Sequence, residues 1–245
     1  TVIVSLMIML VFSKLPKYYL ILIISPFLSI AFSFSIPIFI VFIMLLLFIL
    51  YKSKLSFILI GFTAVTNIFL FFLTPFIWSS LKTYQQNRIL TFLDPMRDPF
   101  GAGYQIIQSK ISIGSGNLIG KGFLNGTQKN LNFLPEHHTD FIFSVIGEEF
   151  GFFGCLIVLS LFFLFLIRIV KGIEKLKRTE TRCASVGILS ILAFQIFINI
   201  GMNIGIAPTT GIPLPFISYG GSSLLINVIS TALILKFLKE RKIFE

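Results

Sequence analysis

The sequence predicts an all-α, polytopic integral membrane helical bundle, with about seven transmembrane helices and one long extracytoplasmic loop, and three observations carry that reading. Of 245 residues, 56% are hydrophobic and only 12% charged, against roughly 25% charged in an average soluble domain, and the mean hydropathy is +0.95. Apolar runs of bilayer-spanning length recur along the chain, which makes lipid its main solvent. Basic residues cluster in the short connections between those runs. The combination excludes cytosolic enzyme folds and disordered regulators. It also accounts for the net charge of +10 without nucleic acid, because the Lys and Arg sit where topology signals sit and form no phosphate track.

A window of about 19 residues marks apolar segments at 2–12, 18–34, 36–50, 55–78, 141–170, 183–206 and 216–238. The first is short because the chain opens inside it. Residue 1 is Thr, and no basic region, short apolar core and cleavage site stand there, so the beginning is expected to be missing. The second and third segments break around Ser35 and Pro37 and read as one membrane hairpin, since Pro37 lacks a helix donor and restricts Ile36. Lys14 and Lys17 follow the first span, Lys52 and Lys54 the third, Arg168 through Arg182 the fifth, and Lys236 through Lys242 the seventh. Every second connection is therefore basic. The positive-inside rule then assigns these connections and the C-terminus to the cytoplasm and turns 79–140 and 207–215 outward. Without an internal repeat or linker, residues 1–245 read as one integral membrane domain, and 79–140 is too long for an idle connection. Cys155 and Cys183 fall at different depths, so no disulfide is expected, and two Cys with two adjacent His give no zinc-ligand spacing.

Of the ten acidic residues, six (Asp94, Asp98, Glu136, Asp140, Glu148 and Glu149) lie in or just after the outward loop, beside Arg88, Arg97, Lys110, Lys121 and Lys129. Asp140 stands where a helix enters lipid, between Thr139 and Phe141. Thr139 or Asp140 can cap that helix, and Asp140, half-shielded from water, can alternatively serve as a general base near neutral pH. Asp140, Ser144 and Glu148 recur at i, i+4 and i+8, a polar stripe that should face the bundle interior. Gly147 and Gly151 form a small-xxx-small pair suited to a close helix approach. Gln195, Asn199 and Asn203 repeat the stripe on the next span, where interhelical hydrogen bonding is the expected role. The Pro- and Gly-interrupted run from Ala207 to Ser223 must line protein or a wet cavity. Gly114-Ser115-Gly116 and Gly120-Lys121-Gly122 are turns whose backbone can cradle an anion, although no Walker-type motif accompanies them.

Taken together, several long motifs occur in order: Leu93-Asp94-Pro95, Asp98-Pro99-Phe100-Gly101-Ala102-Gly103-Tyr104, Gly120-Lys121-Gly122, Leu134 to Phe143, Glu148-Glu149, and Pro213 to Ser223. This set closely resembles the SEDS family of bacterial cell-wall proteins (FtsW/RodA/SpoVE). Gly126-Thr127-Gln128 and Gly211-Ile212-Pro213-Leu214-Pro215-Phe216 fit its RodA branch better than its FtsW branch. The resemblance implies a peptidoglycan glycosyltransferase polymerising lipid II at the outer face of the bacterial cytoplasmic (inner) membrane during elongation and rod-shape maintenance. It also implies a class B penicillin-binding protein transpeptidase as partner.

By the family's motif Asp140 is the catalytic carboxylate, taking the acceptor hydroxyl's proton as polyprenyl pyrophosphate departs with inversion. Lys121 and Arg97 are candidates to steady that leaving group, alone or with a divalent cation (Mg or Mn), and no other cofactor is implied. Glu136 and His138 are candidates to orient a sugar or tune Asp140, and Ser218 to line the substrate cavity. Three departures stand out. The chain has fewer spans than typical members, so this stretch alone is expected to be inactive. Asn132 replaces a Glu frequent in the family, and an additional hairpin occupies about residues 18–54. A lipid-linked precursor flippase and a non-catalytic scaffold for a transpeptidase are the competing readings.

Overall fold

The computed structural model describes residues 18–33, 35–53, 55–99, 101–126 and 138–240. All regular elements among them are helical, and the chain divides into two compact units, one ending at Thr83 and one starting at Tyr84. Six of the seven expected apolar segments are helices; the segment 2–12 lies outside the described residues.

The first unit holds α1 (Tyr18–Phe32), α2 (Ile36–Lys52) and α3 (Phe57–Ser80). The break expected around Ser35 is present, with Ser35 at the N-cap of α2 and a proline in the first helical positions, where its missing N–H costs nothing. Lys52 closes α2, and the Ser56 side chain caps α3 by accepting from Leu59 N at 3.4 Å. Among the described residues of this unit, α3 alone is long and apolar enough to span a bilayer by itself; α1 has 15 described residues and α2 has 17, against about 20 for a full crossing. A buried polar clasp joins α1 to α3. Asn67 donates to Thr63 O (2.7 Å) and Ser25 Oγ (3.3 Å), and Ser29 Oγ donates to Asn67 Oδ1. In an apolar helix pair an amide left without partners is costly, so these bonds fix which faces of α1 and α3 meet. Phe39 of α2 stacks on Phe71 of α3 with centroids 4.2 Å apart.

The second unit holds α4 (Thr83–Leu93), a 3₁₀ turn (Pro95–Arg97), α5 (Ala102–Ser115), α6 (Ile142–Ile173), α7 (Thr179–Ile204) and α8 (Gly221–Glu240). The last three meet the length and hydropathy of membrane spans. The stretch 79–140 is thus not a bare connection, for α5 lies inside the bundle and packs against both α6 and α7. Its buried face is Gly103, Ile106, Ser109 and Ser112, with Gly116 at its C-cap, and all of these but Ile106 are small enough for close helix approach. Phe143, Cys155 and Phe162 of α6 meet Ile196 and Ile200 of α7 and the loop residue Leu214 in one apolar core.

Candidate functional site

Three consecutive carbonyls fix the turn that leads into α6. His138 O accepts from Tyr219 N at 2.9 Å, Thr139 O from Ser218 Oγ at 2.5 Å, and Asp140 O from both Asn199 Nδ2 (2.9 Å) and Asn203 Nδ2 (3.1 Å). Asn199 also reaches Ile212 O (2.8 Å), and Ser218 Oγ accepts from Leu214 N (2.8 Å), so α7 and the 207–220 loop hold the turn together. The polar stripe Asn199/Asn203 therefore does more than join helices. The N-cap of α6 falls on Phe141, which gives no side-chain cap bond; neither Thr139 nor Asp140 occupies that position. Asn203 Oδ1 instead accepts from Ser144 N at 3.1 Å, meeting one donor of the helix's first turn. Asp140 itself is half-buried, and a Cβ placed on Gly211 would lie 3.4 Å from its Oδ2, so the carboxylate faces the loop at a glycine with φ +71°.

Below Asp140 the stripe continues into the bundle. Ser109 Oγ donates to Asn203 O (2.8 Å), and Ser112 Oγ lies 3.1 Å from Ser144 O and 3.3 Å from Glu148 Oε2. Glu148 is fully buried and pairs through Oε1 with Lys121 Nζ at 2.7 Å, while Lys121 keeps 29% of its side chain exposed. A carboxylate in the interior of a membrane bundle needs such a partner. Glu149 is buried beside it. The expectation that both glutamates turn inward holds.

The helix that carries Glu148 is broken. Gly151 has φ +65° and ψ −160°, outside the helical region, and the break parts the amides of Phe152 and Phe153 from the carbonyls of Glu148 and Glu149. Those four groups would have bonded to one another in a regular helix. The segment 117–122 satisfies all of them: Phe152 N donates to Asn117 O (2.9 Å), Phe153 N to Leu118 O (3.2 Å), Lys121 N to Glu148 O (3.0 Å) and Gly122 N to Glu149 O (3.0 Å). Only glycines permit the approach. A Cβ on Gly116 would stand 1.9 Å from Gly147 O, on Gly120 2.2 Å from Glu149 O, and on Gly151 2.4 Å from Gly120 N. Gly147 does receive a helix, meeting Ile113 of α5, whereas Gly151 receives a loop. The amides of Lys121 and Gly122 serve the broken helix, so the turn does not form an anion cradle there.

A family model described as Cell cycle protein, spanning FtsW, RodA and SpoVE, matches residues 11–243. The chain belongs to the FtsW/RodA/SpoVE family. Among its curated relatives, peptidoglycan glycosyltransferase MrdB of Escherichia coli strain K12 is 47% identical over 197 residues, covering 80% of this chain and 52% of that protein. Peptidoglycan glycosyltransferase RodA of Treponema pallidum strain Nichols is 44% identical over 155 residues (63% of this chain, 36% of that one). The probable peptidoglycan glycosyltransferase FtsW of Geobacter metallireducens is 40% identical over 177 residues (72% and 46%). The chain thus spans about half the length of the curated relatives it matches, or less. A chain in the solved structure described as "Structural coordination of polymerization and crosslinking by a peptidoglycan synthase complex" superposes with a TM-score of 0.58 at 29% identity, covering 98% of this chain and 60% of that one. The RodA-like family read from the loop motifs and the helical membrane architecture are both borne out.

Within this FtsW/RodA/SpoVE member, Asp140, His138 and Ser218 come together at one turn, with His138 exposed and Ser218 half-buried. Lys121 belongs to the other end of the same hydrogen-bond chain and engages Glu148. Arg97 is exposed on the 3₁₀ turn that Asp94 caps through Met96 N (3.1 Å). Glu136 lies outside the described residues. Sequence reasoning missed Ser109 and Ser112, although the recurrence of Gly103, Ile106, Ser109 and Ser112 at three-residue spacing marks one helix face. Among the described residues no group of three or more His, Cys, Asp or Glu side chains stands together.

Proposed function

We propose that the protein is a peptidoglycan glycosyltransferase that polymerises lipid II, with Asp140 as its catalytic carboxylate. The observation that carries the reading is the pinning of three successive carbonyls at His138, Thr139 and Asp140, which fixes the main chain of Asp140 while its carboxylate faces the loop at Gly211. A positioned base of this kind suits glycosyl transfer. The Asp140 carboxylate takes the proton of the acceptor sugar hydroxyl, whose oxygen forms the new bond to the donor's anomeric carbon. The bond from that carbon to the pyrophosphate oxygen breaks with inversion, and the electron pair leaves on polyprenyl pyrophosphate. Exposed His138 and Arg97 are the contacts we assign to sugar and pyrophosphate, and Glu136, two residues before His138 in sequence, is the further sugar-binding residue we assign. Ser218 holds the turn, and we assign it to the wall of the substrate site; Lys121, paired with Glu148, is assigned a place below it.

Support comes from relatives named peptidoglycan glycosyltransferase and from a structural neighbour within a peptidoglycan synthase complex. That complex also supports a penicillin-binding transpeptidase as partner, here of class B. The reaction belongs at the outer face of the bacterial cytoplasmic membrane, with the C-terminus inside, and the likeness to RodA supports a role in elongation.

The test is lipid II polymerisation by the full natural protein, purified with its transpeptidase, comparing wild type with Asp140→Asn at equal folded yield. Loss of glycan strands by about 10²-fold or more supports the assignment, in the range of general-base catalysis. Equal polymerisation by both reduces Asp140 to a structural residue. Precursor movement across vesicles without new glycosidic bonds would mark a flippase instead.

A further inference from the structure

Away from Asp140, at the far end of α6, a cleft of about 720 Å³ opens between α6 and α8. Its cations are Arg168 and Lys171 of α6, Lys175 in the turn just after it, and Lys239 of α8. Arg168 and Lys171, at i and i+3, share one face of α6, and Lys175 rims the same cleft from the turn that follows. All four are exposed, and among the described residues none takes a carboxylate partner. Topology signalling accounts for cations at this end of a span, but it does not require them to share one face or to rim a cavity.

The cleft is also apolar in depth. Phe165 lines it from α6, and Ile234, Leu235 and Leu238 line it from α8. At its floor the helices nearly touch, for a Cβ on Gly172 would stand 2.8 Å from Leu238 Cδ1. The volume falls within the range of small-molecule sites, roughly 300–1,000 Å³. An apolar slot capped by exposed cations complements a molecule with a hydrocarbon chain and an anionic head.

We propose that this cleft is a binding site for one anionic phospholipid. The phosphate sits among Arg168, Lys171, Lys175 and Lys239, where charge-assisted hydrogen bonds hold it, and an acyl chain runs along Phe165, Ile234 and Leu235. The site is separate from the Asp140 turn and stands whether or not the catalytic reading does.

The test uses the full natural protein, purified in detergent, with phosphatidylglycerol and phosphatidylcholine as probes and bound lipid counted by native mass spectrometry. Wild type should retain phosphatidylglycerol at least tenfold better than phosphatidylcholine. Lys171→Gln with Lys175→Gln should abolish most of that preference, whereas Lys177→Gln with Lys236→Gln, which removes equal charge outside the cleft, should preserve it. Leu235→Trp keeps every cation but fills the slot, and it too should release the lipid. Three outcomes overturn the proposal: equal loss in the off-cleft variant, which means bulk surface attraction; full retention in Leu235→Trp; or complete displacement from wild type by millimolar glycerol phosphate or an acidic peptide. The displacement arm needs no variant, so the proposal stays testable if a substitution prevents folding.

Discussion

Replacing Lys121 by Met removes the ammonium group 2.7 Å from Glu148 Oε1 while keeping most of the stem's bulk. Glu148 is fully buried and Lys121 retains 29% exposure, so the glutamate is the partner that suffers when the pair is broken. Deleting one member of a buried pair costs about 3–5 kcal/mol, because the survivor is left charged where water cannot solvate it. Water entering at the open Lys121 end softens this, which puts the variant near the lower bound, about 3 kcal/mol. On the scaling of domains this size that is roughly 6–12 °C in Tm. Adding Glu148→Gln neutralises the survivor while leaving an amide in its place, and the double variant should recover about 2 kcal/mol. The assay is thermal unfolding of the purified protein in detergent for wild type, both single variants and the double. Additive losses, or a Lys121→Met protein melting within about 1 °C of wild type, would refute the reasoning.

Gly120→Ala should cost more than 3 kcal/mol or block folding, because its Cβ meets Glu149 O at 2.2 Å at a residue with φ +89°; detergent-extractable yield and Tm read it, while Gly187→Ala, with nothing within 4 Å, should leave both unchanged. Asn203→Asp should be worse than Asn203→Ala. The aspartate turns an oxygen toward Asp140 O (3.1 Å) and Asn199 O (2.8 Å), where the amide had donated, and adds a buried charge, whereas alanine leaves these carbonyls short of a donor and Ser144 N without Asn203 Oδ1, at about 1–3 kcal/mol, with no charge to bury. Comparative melting decides the order. Asn67→Ala should destabilise the first unit by a similar amount, and adding Ser29→Ala should restore part of it, since Ser29 Oγ loses its acceptor with Asn67 whereas Ser25 Oγ still donates to Leu22 O. Tm of the double variant below that of Asn67→Ala would count against this account of the clasp.

The apolar runs and the Ser35-Pro37 break were legible because hydropathy and proline act locally, and α2, α3, α6, α7 and α8 lie close to the predicted segments. The helix α5 was not legible as part of the bundle. Its buried face is built of Gly103, Ser109 and Ser112, residues that a transfer scale scores as loop, and only their three-residue recurrence betrays a packed face. The glycines were legible as close-approach residues, but not what approaches them. Gly147 and Gly151 stand four apart and look alike in sequence, yet one meets a helix and the other breaks one, because φ +65° at Gly151 follows from the segment 117–122 packed against it. The motif containing Asp140 marked its position; what holds it, Asn199 and Asn203, read as ordinary interhelical contacts because their acceptor is a backbone carbonyl 59 to 63 residues away.

The site is organised through backbone groups more than through side-chain pairs, and this has a physical reason. In lipid an interrupted helix or a bent loop must satisfy its amides and carbonyls inside the protein. Here one interruption precedes α6 at residues 138–140 and another lies within it at Gly151, and each is satisfied by a different partner: Asn199, Asn203 and Ser218 for the first, the segment 117–122 for the second. Between the two runs the stretch Ser144 to Glu148, bonded to Ser112 on one side and to Lys121 and Asn203 at its ends. Each bond adds only about 0.5–1.5 kcal/mol net, but losing any one leaves a buried group unpaired at a larger cost, so the bonds are mutually enforcing. The turn carrying Asp140 cannot shift without releasing Asn203, and Asn203 cannot shift without releasing Ser144 and Ser109. A carboxylate held this way keeps its main chain fixed while its side chain faces the loop, which is the positioning that the proposed role of Asp140 as a base would draw on.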